Sequence, residues 1–190
     1  MNKEEKMPAY VLGRRDMLKI SLAAGVALAS GGIPGVAEAA HANEAQGSRP
    51  DYAKARFLKS MNCSQAVLET YSPEMGLPAP MARRVAAAFA GGMGMGCECG
   101  AVTGALMVIG AKYGKTRDKD SHADDVTFKK VAQFISEFKE QHKHLNCSAL
   151  LGVDMGTPEG VRQAEKRGYF TSRCPNYVKT AAEILEKLLA

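Results

Sequence analysis

The sequence predicts an all-α protein: a compact domain of about five to seven helices behind a cleavable export signal. Three observations point there. Apolar residues recur at three- and four-residue spacing through most of the chain after residue 50. No stretch alternates apolar and polar residues as a half-buried strand would, and no segment repeats at a fixed period. The 190 residues allow one ordinary domain with an appendage. The part beyond the leader is long enough to bury roughly two-thirds of its unfolded surface.

Residues 1–39 read as the signal. A basic start, ending in Arg14, Arg15 and Lys19, is followed by an uncharged stretch from Ile20 to Ala37. Ala37-Glu38-Ala39 fits the small-x-small rule for cleavage, which makes Ala40 the expected mature start and Ala42 a second option. The segment Gly13-Arg14-Arg15-Asp16-Met17-Leu18-Lys19 resembles the twin-arginine pattern S/T-R-R-x-F-L-K, departing from it at Gly13 and Met17. That resemblance implies handling by the twin-arginine translocase and a periplasmic or other extracytoplasmic destination. It also implies export of a folded chain, commonly one whose cofactor is already inserted. Gly25, Gly31, Gly32 and Pro34 weaken the competing reading as a membrane-spanning helix; an uncleaved anchor is the variant that remains.

Residues 40–50 are small and polar and read as a linker without a packing face. Residues 51–190 form the domain. Tyr52, Ala55, Leu58 and Met61 recur at helical spacing and predict a first helix with that face inward. A second begins at Asn62-Cys63-Ser64 and stops before Ser72-Pro73. Pro78 to Phe89 is alanine-rich and helical, with Arg83 and Arg84 on the wet side. The glycine-rich loop Gly91-Gly92-Met93-Gly94-Met95-Gly96 leads to Cys99–Gly110, apolar throughout and expected as a buried helix that closes at Tyr113-Gly114-Lys115. Asp118 to Asp125 reads as a charged loop. Val126, Val131, Phe134, Ile135 and Phe138 mark one face of a helix running to His142. Thr157-Pro158-Glu159 opens a short polar helix, with Thr157 as N-cap and Pro158 at the first helical position. The last helix runs from about Pro175 to Leu188 on a face of Val178, Ala181, Ile184, Leu185 and Leu188.

Composition narrows the function. Tryptophan is absent and aromatics are few, which argues against base stacking on single-stranded nucleic acid. From Ala40 onward 20 basic residues stand against 16 acidic ones, interspersed and without a basic stripe, so no nucleic-acid partner is expected. The glycine run lacks both a preceding strand and a following G-K-[ST], so it is no phosphate loop. Neither a serine–histidine–aspartate set nor a paired-carboxylate signature is recognisable.

The five cysteines carry the signal. Cys63, Cys99, Cys147 and Cys174 each sit at the start of a predicted helix, where free amide hydrogens and the positive dipole end favour the thiolate. Four such starts brought together would make a cage of thiolates backed by amide donors, suited to an anionic iron–sulfur cluster. Two structural disulfides in a binding module without metal, thiol–disulfide exchange, or another metal are the alternatives the same residues allow. The spacings of 36, 48 and 27 residues match no ferredoxin or zinc-ribbon pattern, and the absence of C-x-x-C-H excludes covalent c-type haem. Cys97 stands outside the four. His142 and His144 are possible extra ligands but read better as favourable charges at a helix C-terminus. His122 is expected to face solvent. Met93 and Met95 could meet a soft metal such as copper(I), though gap-filling is the simpler role.

Cys63, then C-G-A-V-T-G from Cys99 to Gly104, then Cys147, then Cys174-Pro175, resembles a family of redox-active proteins named for its pattern of four cysteines around such a motif. The flanking words N-C-S-Q-A-V-L, C-S-A-L-L-G and C-P-N-Y-V fit as well, over roughly Asp51 to Ala190. The domain is also similar to the C-terminal part of split-Soret cytochrome c, whose equivalent cysteines are associated with an iron–sulfur cluster. The resemblance implies Cys63, Cys99, Cys147 and Cys174 as ligands or redox cysteines, an iron–sulfur cofactor expected as [2Fe-2S], and backbone amides near Gly100 and Asn176 that tune it. It implies single-electron exchange with a redox partner protein rather than conversion of a substrate. A homo-oligomer sharing the centre is compatible with it.

Overall fold

The computed structural model describes residues 47–190; the signal, its cleavage site and most of the expected linker lie outside the described residues. The all-α expectation holds there. Eight helices of five residues or more are present among the described residues: α1 (Arg49–Ser60), α2 (Cys63–Tyr71), α3 (Ala79–Ala86), α4 (Gly100–Tyr113), α5 (Ser121–His142), α6 (Cys147–Leu151), α7 (Pro158–Lys166) and α8 (Cys174–Leu189), with a single helical turn at Tyr169–Ser172 before the last. This exceeds the expected five to seven because five residues suffice for α6, capped by Asn146 at one end and left-handed Gly152 (φ 68°) at the other.

Two boundaries and one face differ from expectation. Helix α1 takes in Arg49 and Pro50, shortening the linker, because Ser48 caps it by accepting from the Asp51 amide. Its buried stripe is Pro50, Ala53 and Phe57 rather than Tyr52, Ala55, Leu58 and Met61; Leu58 and Met61 are 41% and 53% exposed. Starting the helix at Arg49 places Pro50, Ala53 and Phe57 on one face, and that face meets α8. Helix α5 starts at Ser121 rather than Val126, since the Asp120 carboxylate accepts from the Ala123 amide and acts as N-cap. His122 is therefore helical, and it is exposed as expected.

Helices α2 and α4 pack most extensively on one another, and α8 packs along α1 while also touching α2, α4 and α5. Val67, Leu68, Val102, Ile109, Phe134, Phe138, Ile184 and Leu185 are fully or almost fully buried there. Two polar devices hold α2 in place. Glu69, only 6% exposed, pairs with Arg56 of α1 at 2.8 Å and Arg83 of α3 at 3.0 Å, so a buried carboxylate clamps three helices. The Tyr71 hydroxyl lies 2.8 Å from the Ala182 carbonyl and 2.7 Å from a Glu186 carboxylate oxygen, while Arg49 covers its ring and pairs with Glu186 and Glu74. A second, smaller apolar cluster gathers Cys147, Leu151, Val153, Met155 and Ala164, with Val161, Tyr169 and Phe170 packed against it. Cys174 and Tyr177 touch both clusters.

The tight α2–α4 contact depends on missing side chains. A Cβ on Gly104 would stand 2.9 Å from the Ser64 carbonyl oxygen and 3.1 Å from Val67 Cβ. Replacing Gly104 by valine is expected to lower the unfolding free energy by about 1–3 kcal/mol, the usual cost of overpacking. Gly110 sits in the same helix with nothing within 4 Å of a would-be Cβ. Gly110→Ala should leave stability unchanged or raise it by up to ~1 kcal/mol through helix propensity. Denaturant unfolding of the two variants checks the contrast.

Candidate functional site

Each of the four candidate cysteines stands at the start of a helix. Cys63, Cys147 and Cys174 are the first residues of α2, α6 and α8, and Cys99 is the N-cap of α4. The side chains of Asn62 and Asn146 accept from the amides of Gln65 (3.0 Å) and Ala149 (3.1 Å), so the two Asn-Cys-Ser words are capped helix starts. At the first of them the amides of Cys63 and Ser64 face the Cys63 sulfur.

Backbone pairing fixes the starts of α4 and α6 side by side. The Cys99 amide donates to the Leu145 carbonyl at 2.8 Å and the Cys147 amide to the Cys97 carbonyl at 2.6 Å, with an isolated antiparallel bridge between Glu98 and Asn146. The glycine run supplies a third wall. Gly91, Gly92, Met93 and Gly94 all have φ between 60° and 69°, a left-handed turn that only a glycine-rich segment sustains. That turn aims the Gly91 amide at the Cys63 sulfur. A Cβ on Gly92 would stand 2.4 Å from the Cys97 amide nitrogen.

Cys63, Cys99, Cys147 and Cys174 all line one cavity of about 830 Å³. It lies along the seam of the two apolar clusters, with Cys63 and Cys99 in the larger, Cys147 in the smaller and Cys174 against both. Gly100 belongs to the site for spatial reasons: a Cβ there would lie 2.5 Å from the Cys63 sulfur. The amide that reaches the Cys99 sulfur is that of Ala101. Asn176 plays no such part. Its amide donates to the Arg173 carbonyl and its side chain to the Ser172 carbonyl, and it does not line the cavity. Cys97 is also absent from the lining. His142 packs its ring against Phe138 and Tyr177, with centroids 4.8 and 4.9 Å away, and His144 is exposed; neither lines the cavity. Met93 and Met95 do line it.

Tyr177 is a lining residue that the sequence reading passed over. It stands one helical turn beyond Cys174, and its hydroxyl donates to the Leu150 carbonyl at 2.9 Å, tying α8 to α6 beside the thiols. The three-residue spacing in Cys174-Pro175-Asn176-Tyr177 is the signal that could have found it.

The four thiols are not equivalent. The Cys99 thiol donates to the Cys63 sulfur, and with amide hydrogens from Gly91, Cys63 and Ser64 it lowers the Cys63 pKa to about 7 against the opposing effect of burial. Donating that proton, being buried and facing the Cys63 charge all raise Cys99 well above the ordinary thiol range. Burial, followed by the Cys63 charge, pushes Cys147 and Cys174 up to about 12 each. Near neutral pH the cage thus holds one thiolate unaided, and any further deprotonation calls for positive charge inside the cavity. All five cysteines are free of disulfides. Among the described residues no group of three or more His, Cys, Asp or Glu side chains stands close enough to hold a single metal ion. Cys63, Cys99, Cys147 and Cys174 share the cavity wall, and Cys63 and Cys99 are in direct hydrogen-bond contact.

Comparison with curated proteins gave no match, and comparison with solved structures gave none. The profile of one family, described as "Putative redox-active protein (C_GCAxxG_C_C)", matches residues 61–188. The matched span runs from α2 through all but the last residue of α8 and takes in every thiol of the cavity. With Cys63, the Cys99-to-Gly104 motif, Cys147 and Cys174 at its centre, the chain belongs to this redox-active protein family.

Proposed function

We propose that the protein is an exported electron carrier holding an iron–sulfur cluster, of [2Fe-2S] type, on Cys63, Cys99, Cys147 and Cys174, and exchanging single electrons with a partner protein. The observation that carries this reading is the convergence of four helix-start cysteines on one cavity. Family membership supports a redox role. The resemblance to split-Soret cytochrome c and to twin-arginine signals supports the cluster and the route of export. When bound, the cluster supplies reversible one-electron chemistry.

The chain's own part is to hold sulfur and to tune it. Amides of Gly91, Ser64 and Ala101 face the sulfurs of Cys63 and Cys99, and hydrogen bonds of that kind favour the more negatively charged state. Gly100 keeps room beside the Cys63 sulfur. The apolar wall limits water, so little solvent reorganisation accompanies a change of charge.

A second reading has its own support. The Cys63–Cys99 pair joins a thiolate near neutral pH to a thiol in hydrogen-bond contact, the arrangement a metal-free dithiol oxidoreductase would use. The Cys63 thiolate attacks one sulfur of a disulfide substrate and expels the other as a thiolate; Cys99, giving its proton to that thiolate, then attacks the Cys63 sulfur and releases the second half, so that two electrons and one proton pass to the substrate as the Cys63–Cys99 bond forms.

Three outcomes check these readings. Anaerobically purified protein should be coloured and contain about two iron and two acid-labile sulfide per chain. Colour should be lost on replacing Cys63, Cys99, Cys147 or Cys174 singly by serine and kept in Cys97→Ser. Colourless, iron-free protein would remove the cluster. In the metal-free chain, iodoacetamide should label Cys63 ahead of Cys147 and Cys174, its rate rising through a midpoint of about pH 7. Mass spectrometry of the labelled peptides follows this, and equal labelling of the three below pH 8 would count against the Cys63 thiolate. Finally, replacing Arg14 and Arg15 together by lysine should hold the precursor in the cytoplasm on cell fractionation; unchanged export would exclude the twin-arginine route.

A further inference from the structure

The lining of the thiol cavity is selective in a way that cysteine chemistry alone does not require. Twenty-five residues form it and none is Asp, Glu, Lys, Arg or His, although 24% of the chain is Asp, Glu, Lys or Arg. Besides the cysteines, the wall is built from Phe57, Met61, Met93, Met155, Val161 and Phe170. Its polar side chains are largely engaged already: Asn62 with the Gln65 amide and the Ala87 carbonyl, Gln65 with the Arg83 carbonyl, and Tyr177 with the Leu150 carbonyl. At about 830 Å³ the space falls within the roughly 300–1,000 Å³ typical of small-molecule sites.

These properties define a ligand. A phosphate-bearing carrier, such as a nicotinamide or flavin nucleotide, would bury its anions without a cation to meet them, which is costly. A quinone is uncharged, and so is the quinol formed from it by two electrons and two protons. A wall without acidic or basic residues accepts both forms. Flat rings and alkyl substituents are what aromatic and methionine side chains receive well.

We propose that this cavity binds an uncharged, largely apolar carrier of the quinone class, held by its apolar lining, Met61, Met93 and Phe170 included, and in contact with the thiol centre. The carrier's role as electron partner rests on the redox reading given above; its binding does not. The flexible methionines suit a site that must admit and release an irregular apolar molecule.

The test uses the full chain, purified anaerobically, and decylubiquinone, whose fully substituted ring resists addition by thiols. Calorimetric titration should show saturable binding at one site per chain. Anthraquinone-2-sulfonate, which carries one fixed negative charge, should bind at least about tenfold more weakly than 2-methylanthraquinone, an uncharged quinone of the same ring system. Phe170→Asp and Met61→Glu should each weaken decylubiquinone by at least about tenfold while leaving iron and sulfide content unchanged; Met61 is already 53% exposed, so its variant should fold. No saturable binding, equal affinity for the sulfonate, or indifference to both substitutions would overturn the proposal. The first of these would leave the apolar side chains of a partner protein as occupant. Binding by an iron-free chain would remove the cluster and keep the quinone site, whereas an iron-replete chain that ignores decylubiquinone would do the reverse.

Discussion

The close approach of α2 to α4 is the constraint on which the rest of the molecule depends. Two glycines one helical turn apart, Gly100 and Gly104, remove the side chains that would otherwise strike the Cys63 sulfur and the Ser64 carbonyl. That contact brings the Cys63 and Cys99 thiols within hydrogen-bond reach. It also seats Ser64, whose hydroxyl donates to the Ala86 carbonyl at 2.8 Å and so ties α2 to the end of α3. The short motif from Cys99 to Gly104 is therefore a packing instruction and a chemical one at once: a sulfur at the cap, and bare backbone where the neighbouring helix must touch.

Electrostatics around the thiols come almost entirely from the main chain. No lysine, arginine or histidine side chain lines the cavity, so negative charge on sulfur is met by amide hydrogens at helix starts and by the left-handed Gly91–Gly94 turn. Amides are fixed in direction and cannot be titrated, whereas a nearby lysine or histidine would bring its own proton equilibrium. The arrangement gives Cys63 a single privileged thiolate and keeps Cys147 and Cys174 protonated while the cavity holds no positive charge.

Much of this was legible in the sequence, for identifiable reasons. The buried faces of α5 and α8 follow from strong periodicity, and Phe134, Phe138, Val178, Ala181, Ile184, Leu185 and Leu188 are all inside. The helix-start positions of four cysteines were readable from asparagine, glycine and proline beside them. Helix α1 was misread because Leu58 and Met61 suggest an inward face, while the smaller Pro50 and Ala53 make the actual contact. Asp120 at the head of α5 was hidden in a run of charge that also resembles a loop. Asn176 looked like an amide donor to sulfur, but the helical turn Tyr169–Ser172 before α8 offers its amide and side chain nearer carbonyls. The pairing of residues 97–99 with 145–147 leaves no local mark, because it joins two irregular segments through main-chain groups alone.

The position of the cavity between two apolar clusters has a thermodynamic corollary. Cys147, Leu151, Val153, Met155 and Ala164 make a nucleus far too small to persist as an independent unit, and beside the direct contacts through Cys174 and Tyr177 a cavity flanked by sulfur runs between them and the larger one. Whatever spans that space binds the assembled arrangement and has little affinity for the separated halves, so occupancy adds to cohesion by mass action. The same gap that admits a guest thus makes the molecule's rigidity a function of whether the guest is there.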